Sequence, residues 1–372
     1  MESPFFFIKE VVGDRFVGRT DELTLIKSNI INGQSSVIIS PPRYGKTSLV
    51  RQAFSQALKL DRNLRLCYIS LFNIRTEEDF YAKLINEAFK ALCDTADDWR
   101  RIAKDFFLDI SPDVDINGKT GEIKLVFDSE RASINQKEFL EFFRKYPEKY
   151  RKKPIVCIED FQNIETFEDN NKRLIKQFKE NSQIPFILTG SKKNGMRQLF
   201  ETGKAALHRF GDILILEPVD EKLFIDYLSR AFSKSGRVIK KEQAEKLCQA
   251  VKNYPYYVQL YAHIIWNNTK GFVTDQTIEL SENELLEYCR PEYLRSTEDL
   301  SNTQINYLKA LIDGVDRFCS AESMINYGLN SSANVARVRS ALIKKEIIEY
   351  VKHKPFFIDP VYELWFKNIF MN

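Results

Sequence analysis

The chain has 372 residues, of which 44% are hydrophobic, 13% aromatic and 29% charged. That is an ordinary soluble globular composition, long enough for two or three domains each with its own core. The 55 basic and 52 acidic residues leave a net charge of +3, which excludes a polybasic nucleic-acid arm as the main binding device and an acidic, aromatic-poor disordered chain. No stretch approaches the roughly 18 consecutive apolar residues of a membrane span. The start, Met1-Glu2-Ser3-Pro4-Phe5-Phe6-Phe7, has no basic region ahead of its short apolar run, so it does not read as a signal peptide, and a cytoplasmic protein without a membrane partner is expected.

The first apolar run, Ser36-Val37-Ile38-Ile39, leads into Ser40-Pro41-Pro42-Arg43-Tyr44-Gly45-Lys46-Thr47-Ser48-Leu49. Gly45, Lys46 and Thr47 stand in register with the phosphate-loop (Walker A) spacing, with Ser40 in place of its first glycine. The chemistry requires this order. Backbone N–H groups from Arg43 to Thr47 form an anion nest at a helix N-terminus. Lys46 places its ammonium on the β- and γ-phosphates, and Thr47 offers a hydroxyl to Mg²⁺. At Gly45 a side chain would block close approach of the backbone.

Further short apolar runs follow at Leu66 to Ile69, Ile155 to Ile158, Pro185 to Leu188 and Ile213 to Leu216. Such runs suit strands buried on both faces of a parallel sheet. Glu77 to Leu92 between them has a helical period, and strands alternating with helices indicate an α/β doubly wound layer. The stretch from about 94 to 150 interrupts this rhythm. Its segment Asp115 to Ile123, with two glycines in a polar turn, predicts a β-hairpin inserted before the third strand.

The run ending at Ile158 continues as Glu159-Asp160-Phe161-Gln162. Four apolar residues followed by two carboxylates is the Walker B pattern, usually Asp then Glu, in which the first holds Mg²⁺ and the second polarises the attacking water. Here the order is swapped, so Mg²⁺ support is better founded than fast turnover. The next strand ends Thr189-Gly190-Ser191-Lys192-Lys193, where Thr189 and Ser191 are candidate γ-phosphate sensors. Lys192 and Lys193 are read as a solvated loop that can reach phosphate. Arg197 and Arg209 are candidate arginine fingers, with surface roles as the competing reading.

After Leu216 only helical patterns follow, at Glu221 to Phe232, Lys241 to Lys252 and Tyr256 to Trp266. From about Leu300 the order is helix (Gln304 to Leu311), helix (Ala321 to Tyr327), Ser331 as an N-cap, helix (Ala333 to Lys344), then a hairpin around Ile347 to Ile358. That is the order of a winged helix. Glu298 to Lys367 holds nine basic and nine acidic residues. Nonspecific DNA affinity needs a positive surplus, so this balance favours a module that packs on the rest of the chain or meets protein, with DNA the less favoured partner. Its aromatic residues Phe356, Phe357, Trp365, Phe366 and Phe370 are read as core and domain contact rather than as a base-stacking platform. Six isolated cysteines and three isolated histidines are read as buried small hydrophobes and scattered side chains, not as disulfides or a zinc site.

Several blocks together resemble archaeal-type ATPases of the wider AAA+ and STAND groups. Phe16-Val17-Gly18-Arg19-Thr20-Asp21-Glu22-Leu23 is similar to their "F-V-G-R-x-x-E-L" box, and Pro42 to Leu49 to their "P-R-R-x-G-K-T-S-L" loop. The hairpin Gly118 to Val126, the "D-E-F-Q"-like Glu159 to Gln162, and Thr189-Gly190-Ser191 also match. Asn253-Tyr254-Pro255-Tyr256-Tyr257 resembles their lid motif, and Asp359 to Phe366 their "D-P-x-x-x-x-W" ending. The resemblance implies an α/β P-loop NTPase core with a parallel sheet (1–216), a helical lid (217–296) and a C-terminal winged helix (297–372), with ATP or ADP and Mg²⁺ as cofactors. It further implies that Phe16, Val17, Gly18 and Arg19 lie near the adenine and that Pro255 closes over it. The departures are Ser40, the Glu159-Asp160 order and Asn253. Two functions follow as expectations: an ATP-dependent, slowly hydrolysing switch acting on a protein partner, or a catalytically weak nucleotide-stabilised scaffold or DNA-binding regulator.

Overall fold

The computed structural model describes residues 2–107, 113–126, 136–167, 171–180, 184–191, 193–201, 205–351 and 353–371. The chain divides into two compact units. One is Arg19–Glu217; the other joins Met1–Gly18 to Pro218–Asn372.

The Arg19–Glu217 unit alternates helix and strand: α1 (Thr20–Asn32), β1 (Ser36–Ile39), α2 (Lys46–Leu60), β2 (Leu64–Ser70), α3 (Glu77–Leu92) and α4 (Ala96–Phe106). A hairpin follows, β3 (Asp113–Ile116) and β4 (Ile123–Val126), then α5 (Gln136–Tyr150), β5 (Lys153–Glu159), α6 (Asn171–Glu180), β6 (Phe186–Gly190), α7 (Lys193–Phe200) and β7 (Asp212–Ile215). The main sheet has the order β2-β5-β6-β1-β7, and every neighbouring pair is parallel. All five expected strands are present. Val37, Ile39, Ile69, Val156, Ile158 and Leu188 join one aromatic-rich core with Phe80, Phe89 and Phe142. Their alternates Ile38, Cys157 and Ile187 are buried as well, so both faces of the central strands β5, β6 and β1 are covered, as continuous apolar runs require. On the edge strand β7, Ile213 and Ile215 are each 38% exposed, a departure from burial on both faces that follows from its place at the sheet edge. The expected hairpin is also there: β3 and β4 pair antiparallel, and Asn117 closes their turn through bonds with Gly121 and Glu122, both 2.8 Å.

The other unit is helical apart from one hairpin: α8 (Glu221–Lys234), α9 (Lys241–Ala250), α10 (Pro255–Asn268), α11 (Asp275–Glu298), α12 (Asn302–Ile312), α13 (Ala321–Asn326), α14 (Ser332–Lys344), β8 (Ile348–Val351), β9 (Lys354–Phe357) and α15 (Pro360–Phe370). The segment α12-α13-α14-β8-β9 is the expected winged helix, and Ser331 caps α14 by accepting from the Asn334 N–H. The 24-residue α11 escaped the sequence reading because Pro291 and a weak apolar stripe break its period. The opening Phe5-Phe6-Phe7 run belongs to this unit too. Phe5 is buried against Tyr227 and Phe232, while Phe7 meets Tyr256, His263 and Tyr288.

One side-chain expectation needs correction: five of the cysteines are buried but Cys319 is exposed, because a turn position directs its side chain outward. Of the aromatic residues near the C-terminus, Phe357, Trp365 and Phe366 are buried and Phe356 is exposed on the hairpin.

Candidate active site

In a parallel sheet the C-terminal strand ends open toward the loops that follow, and here four of those ends converge. The register pairs Ile39 with Gly190 and Ser70 with Glu159, and the Ser40 N–H donates to the Gly190 carbonyl at 3.3 Å. The loop after β1, the acidic end of β5, the end of β6 and the end of β2 are thereby brought to one edge.

The loop leaves β1 at Ser40 and enters α2 at Lys46. Two of its residues take left-handed backbone, Arg43 at φ 68° and Gly45 at φ 81°. At Gly45 this is glycine's ordinary freedom. At Arg43 it is a strained position of the kind that accumulates at binding loops. The Lys46 side chain folds back over the loop. Its ammonium donates to the Ser40 carbonyl (3.1 Å), the Ser40 Oγ (3.3 Å) and the Pro41 carbonyl (3.1 Å), and the residue is 8% exposed. Ser40, the departure from the glycine pattern, is therefore part of the cage that holds the lysine. Of the remaining loop residues, Pro42 is exposed, Tyr44 is buried, and Thr47 and Ser48 in the first turn of α2 are half-buried.

Arg19 reaches the loop from another direction. It sits in left-handed backbone immediately before α1, is buried, and bonds the Glu22 carboxylate at 3.2 Å and the Tyr44 carbonyl at 3.4 Å. Burial pulls its guanidinium below the usual arginine range. The structure thus joins Arg19 to the phosphate loop's backbone, a partner the sequence did not indicate. Phe16, Val17 and Gly18 fall in the other unit, as does Pro255, the first residue of α10.

The acidic pair separates into two environments. Glu159 ends β5 and accepts from the Thr47 hydroxyl at 2.5 Å on one oxygen and from the Tyr68 hydroxyl on the other. Burial, then the Glu159 carboxylate, push the Tyr68 phenol up, so Tyr68 stays a donor. Arg51 lies over the Tyr68 ring at 4.7 Å. Asp160 turns away in left-handed backbone at φ 56°. It accepts from Ser70 Oγ at 3.3 Å and lies 3.5 Å from Gln162 Nε2. Burial and the neighbouring Glu159 charge hold its carboxyl above the usual aspartate range.

Gln162 links this pair to β6, donating to Ser191 Oγ at 3.2 Å and accepting from the Ser191 N–H at 3.2 Å. At Gly190, between them, a Cβ would stand 2.4 Å from Met196 Sδ and 2.7 Å from Gln162 Oε1, so any side chain there would displace Met196 and Gln162. Thr189 pairs in register with Ile38, is 1% exposed, and its hydroxyl has no hydrogen-bond partner. An orphaned buried hydroxyl is costly unless a ligand group meets it.

The remaining candidates lie apart from this group. Arg209 is exposed, in left-handed backbone just before Asp212, the first residue of β7, and so stands at the opposite end of the sheet from the loop after β1. Within one chain the structure does not bring it to the carboxylates. Arg197, on α7, is ion-paired with Glu201. Lys192 and the side chain of Lys193 lie outside the described residues. Tyr68, Ser70 and Gln162 join the site without a sequence signal of their own: Gln162 follows the acidic pair by two residues, whereas Tyr68 and Ser70 become visible only once β2 is known to lie beside β5.

Thr47 and Glu159 supply a hydroxyl and a carboxylate at one point beside the start of α2. These are hard oxygen donors of the type Mg²⁺ takes together with phosphate oxygens and water. Among the described residues no cluster of three or more His, Cys, Asp or Glu could hold a metal ion by itself. Asp160's raised pKa has a thermodynamic sign. The folded state binds that proton more tightly than the unfolded chain, so ionised Asp160 costs stability, and this is regained as pH falls through its folded pKa. Asp160→Asn should therefore melt higher than wild type at pH 7, with the difference shrinking on acidification. A thermal melt across pH checks this, and a constant or reversed difference would contradict it.

No protein-family model matches the chain, and no curated protein sequence matches it. Solved structures do. The Walker-type ATPase paby2304 of Pyrococcus abyssi superposes with a TM-score of 0.71 at 14% identity, covering 98% of this chain and 99% of its own. The Aeropyrum pernix ORC2 protein, solved in ADPNP–ADP complexes, gives 0.52 at 10% identity, covering 98% of each chain. The Aeropyrum pernix ORC1 protein in complex with DNA gives 0.51 at 12%, covering 99% of this chain and 98% of that one. The five-stranded parallel core followed by helices and a winged helix is the fold of the archaeal-type P-loop ATPases.

Proposed function

We propose that this protein is a Mg²⁺-dependent ATP-binding ATPase of the AAA+/STAND type, turning over slowly in the cytoplasm and passing its nucleotide state to a protein partner. The observation that carries the reading is the meeting of Lys46, Thr47, Glu159, Asp160 and the orphaned Thr189 hydroxyl at one edge of the sheet. In this reading Lys46 exchanges the Ser40 and Pro41 oxygens for β- and γ-phosphate oxygens, which bear full charge where the carbonyls do not. The Arg43 to Thr47 backbone binds phosphate at the start of α2. Thr47 and Glu159 hold Mg²⁺, which neutralises phosphate charge when bound. Asp160 orients and accepts from the attacking water, and Thr189 or Ser191 meets the γ-phosphate. The adenine roles implied for Phe16, Val17, Gly18, Arg19 and Pro255 belong to the same proposal.

The switch reading has its own support. Inside the helical unit, the lid motif and the C-terminal motif touch. The Lys252 ammonium reaches the Glu363 carboxylate at 2.5 Å, the Tyr254 hydroxyl donates to the Ile358 carbonyl, and the Tyr257 hydroxyl donates to Asp359. We take α8–α11 and the winged helix to respond to nucleotide as one body.

The alternative, a nucleotide-gated scaffold with vestigial turnover, is favoured by one feature: Asp160 is half-sequestered by Ser70 and Gln162. DNA remains the weaker partner. In α14, Arg339 packs over the Tyr350 ring at 5.4 Å and so is partly engaged within the module. Calorimetric titration with ATP and with ADP tests the site directly. Affinity should rise with Mg²⁺ and fall at least about tenfold in Lys46→Ala, the loss of one charge-assisted contact. Unchanged affinity in Lys46→Ala would remove the proposed site.

A further inference from the structure

We infer that Arg19 is a positioning residue of the phosphate loop: by tethering the Tyr44 carbonyl it sets the peptide that follows, so the loop is formed before phosphate arrives. The inference rests on the nucleotide reading and adds to it a role for Arg19 that does not involve the base. Its geometry lies wholly within the Arg19–Glu217 unit. One guanidinium nitrogen donates to the Tyr44 carbonyl at 3.4 Å and the other to the Glu22 carboxylate at 3.2 Å. The guanidinium carbon also stands 6.0 Å from the centre of the Tyr44 ring, and both residues are buried. Arg19 takes left-handed backbone at φ 58°, a costly conformation for a residue with a side chain and one that clusters at binding sites.

Charge and peptide geometry say how the tether acts. Glu22 bonds the guanidinium directly, and the Glu217 carboxylate also acts on its charge. Two carboxylates therefore offset the cation, so its effect on phosphate is orientation rather than added positive field. The peptide joining Tyr44 to Gly45 is trans, and its carbonyl and N–H point to opposite sides of one plane. A carbonyl held toward Arg19 turns the Gly45 N–H the other way. Glycine leaves that choice open, because it accepts φ of either sign, and Gly45 stands at φ 81°. Without a tether the peptide is free to flip. Flipped, it would offer a carbonyl oxygen where an anion nest needs an N–H.

The test is calorimetric titration of the full-length protein with Mg²⁺–tripolyphosphate, which has no base, beside Mg²⁺–ATP. Arg19→Met retains the length of the buried stem. It should weaken tripolyphosphate binding at least about tenfold, the cost of losing a charge-assisted hydrogen bond, and ATP binding by no less. Arg19→Lys restores a donor and should regain part of the loss. Glu22 is half-buried, and Glu22→Gln carries the test if Arg19→Met does not fold. Loosening the guanidinium in this way should weaken both ligands about threefold or more. The fitted stoichiometry reports the folded fraction, so a merely structural defect would appear there and leave the affinities unchanged. With wild type binding both ligands, unchanged affinities in Arg19→Met and Glu22→Gln would overturn this inference alone. A loss for ATP without one for tripolyphosphate would also overturn it, leaving Arg19 a contact to the base. So would wild type that binds ATP but not tripolyphosphate, because a loop formed in advance must hold phosphate without the base. Binding of neither ligand by wild type would overturn the nucleotide reading, and this inference with it.

Discussion

Glu159→Gln is expected to lower ATP turnover by roughly 100-fold or more, the usual cost of removing one preorganised electrostatic contact, and to strip nucleotide affinity of most of its Mg²⁺ dependence. Glu159→Asp should lose nearly as much, although aspartate is the residue the usual pattern has at this position. The reason is geometric. The Glu159 oxygens are both engaged, one by Thr47 at 2.5 Å and the other by Tyr68. Shortening the side chain withdraws the carboxylate by about 1.5 Å, one carbon–carbon bond, so it cannot keep both. Tyr68→Phe should produce a milder form of the same defect, because it frees one oxygen without removing the charge. Steady-state phosphate release titrated with Mg²⁺ checks all three variants. Wild-type behaviour of Glu159→Asp would show that the longer residue is not required and that the swapped order is a neutral variation.

The second large effect concerns stability. Asp359→Ala should destabilise the helical unit by about 3 kcal/mol, combining a lost N-cap with a buried hydroxyl left without its acceptor. Asp359 caps α15 through the Val361 and Tyr362 N–H groups at 2.9 and 3.0 Å, and also accepts from the Tyr257 hydroxyl of α10 and the Tyr293 hydroxyl of α11. For a unit of this size the loss corresponds to a fall of roughly 6–12 °C in its melting temperature. Asp359→Asn keeps the oxygen acceptor and should recover part of it. Differential scanning calorimetry separates the two variants. A fall of 1 °C or less in Asp359→Ala would mean that the lid and winged-helix motifs are not tied through this carboxylate.

The parts of the fold that the sequence displayed were those fixed by local chemistry. Runs such as Ile155 to Ile158 have only one comfortable place, inside a sheet covered on both faces. Ser331 can cap only the helix that follows it, and the glycines around Lys119 admit a tight turn. The contents of the candidate site were legible wherever a motif is contiguous, as from Arg43 to Thr47 and at Glu159-Asp160.

What was hidden depends on strand order and backbone conformation, which no local pattern states. Tyr68 and Ser70 act on the carboxylates because β2 lies next to β5. Arg19 bonds the Tyr44 carbonyl across 25 positions of sequence. Arg209 looked available as a finger, yet it precedes β7 at the far end of the sheet. The swapped carboxylates were read as a departure from pattern. The left-handed turn at Asp160 shows how the two residues are directed to different partners.

Phosphate release by wild-type protein beside Lys46→Ala, in the presence and absence of Mg²⁺, bears most directly on the claim that this edge of the sheet is an ATPase site. The account predicts slow, Mg²⁺-dependent release by the wild type and a loss of roughly 100-fold or more in the variant. Release that is equal in the two proteins, or indifferent to Mg²⁺, would contradict it.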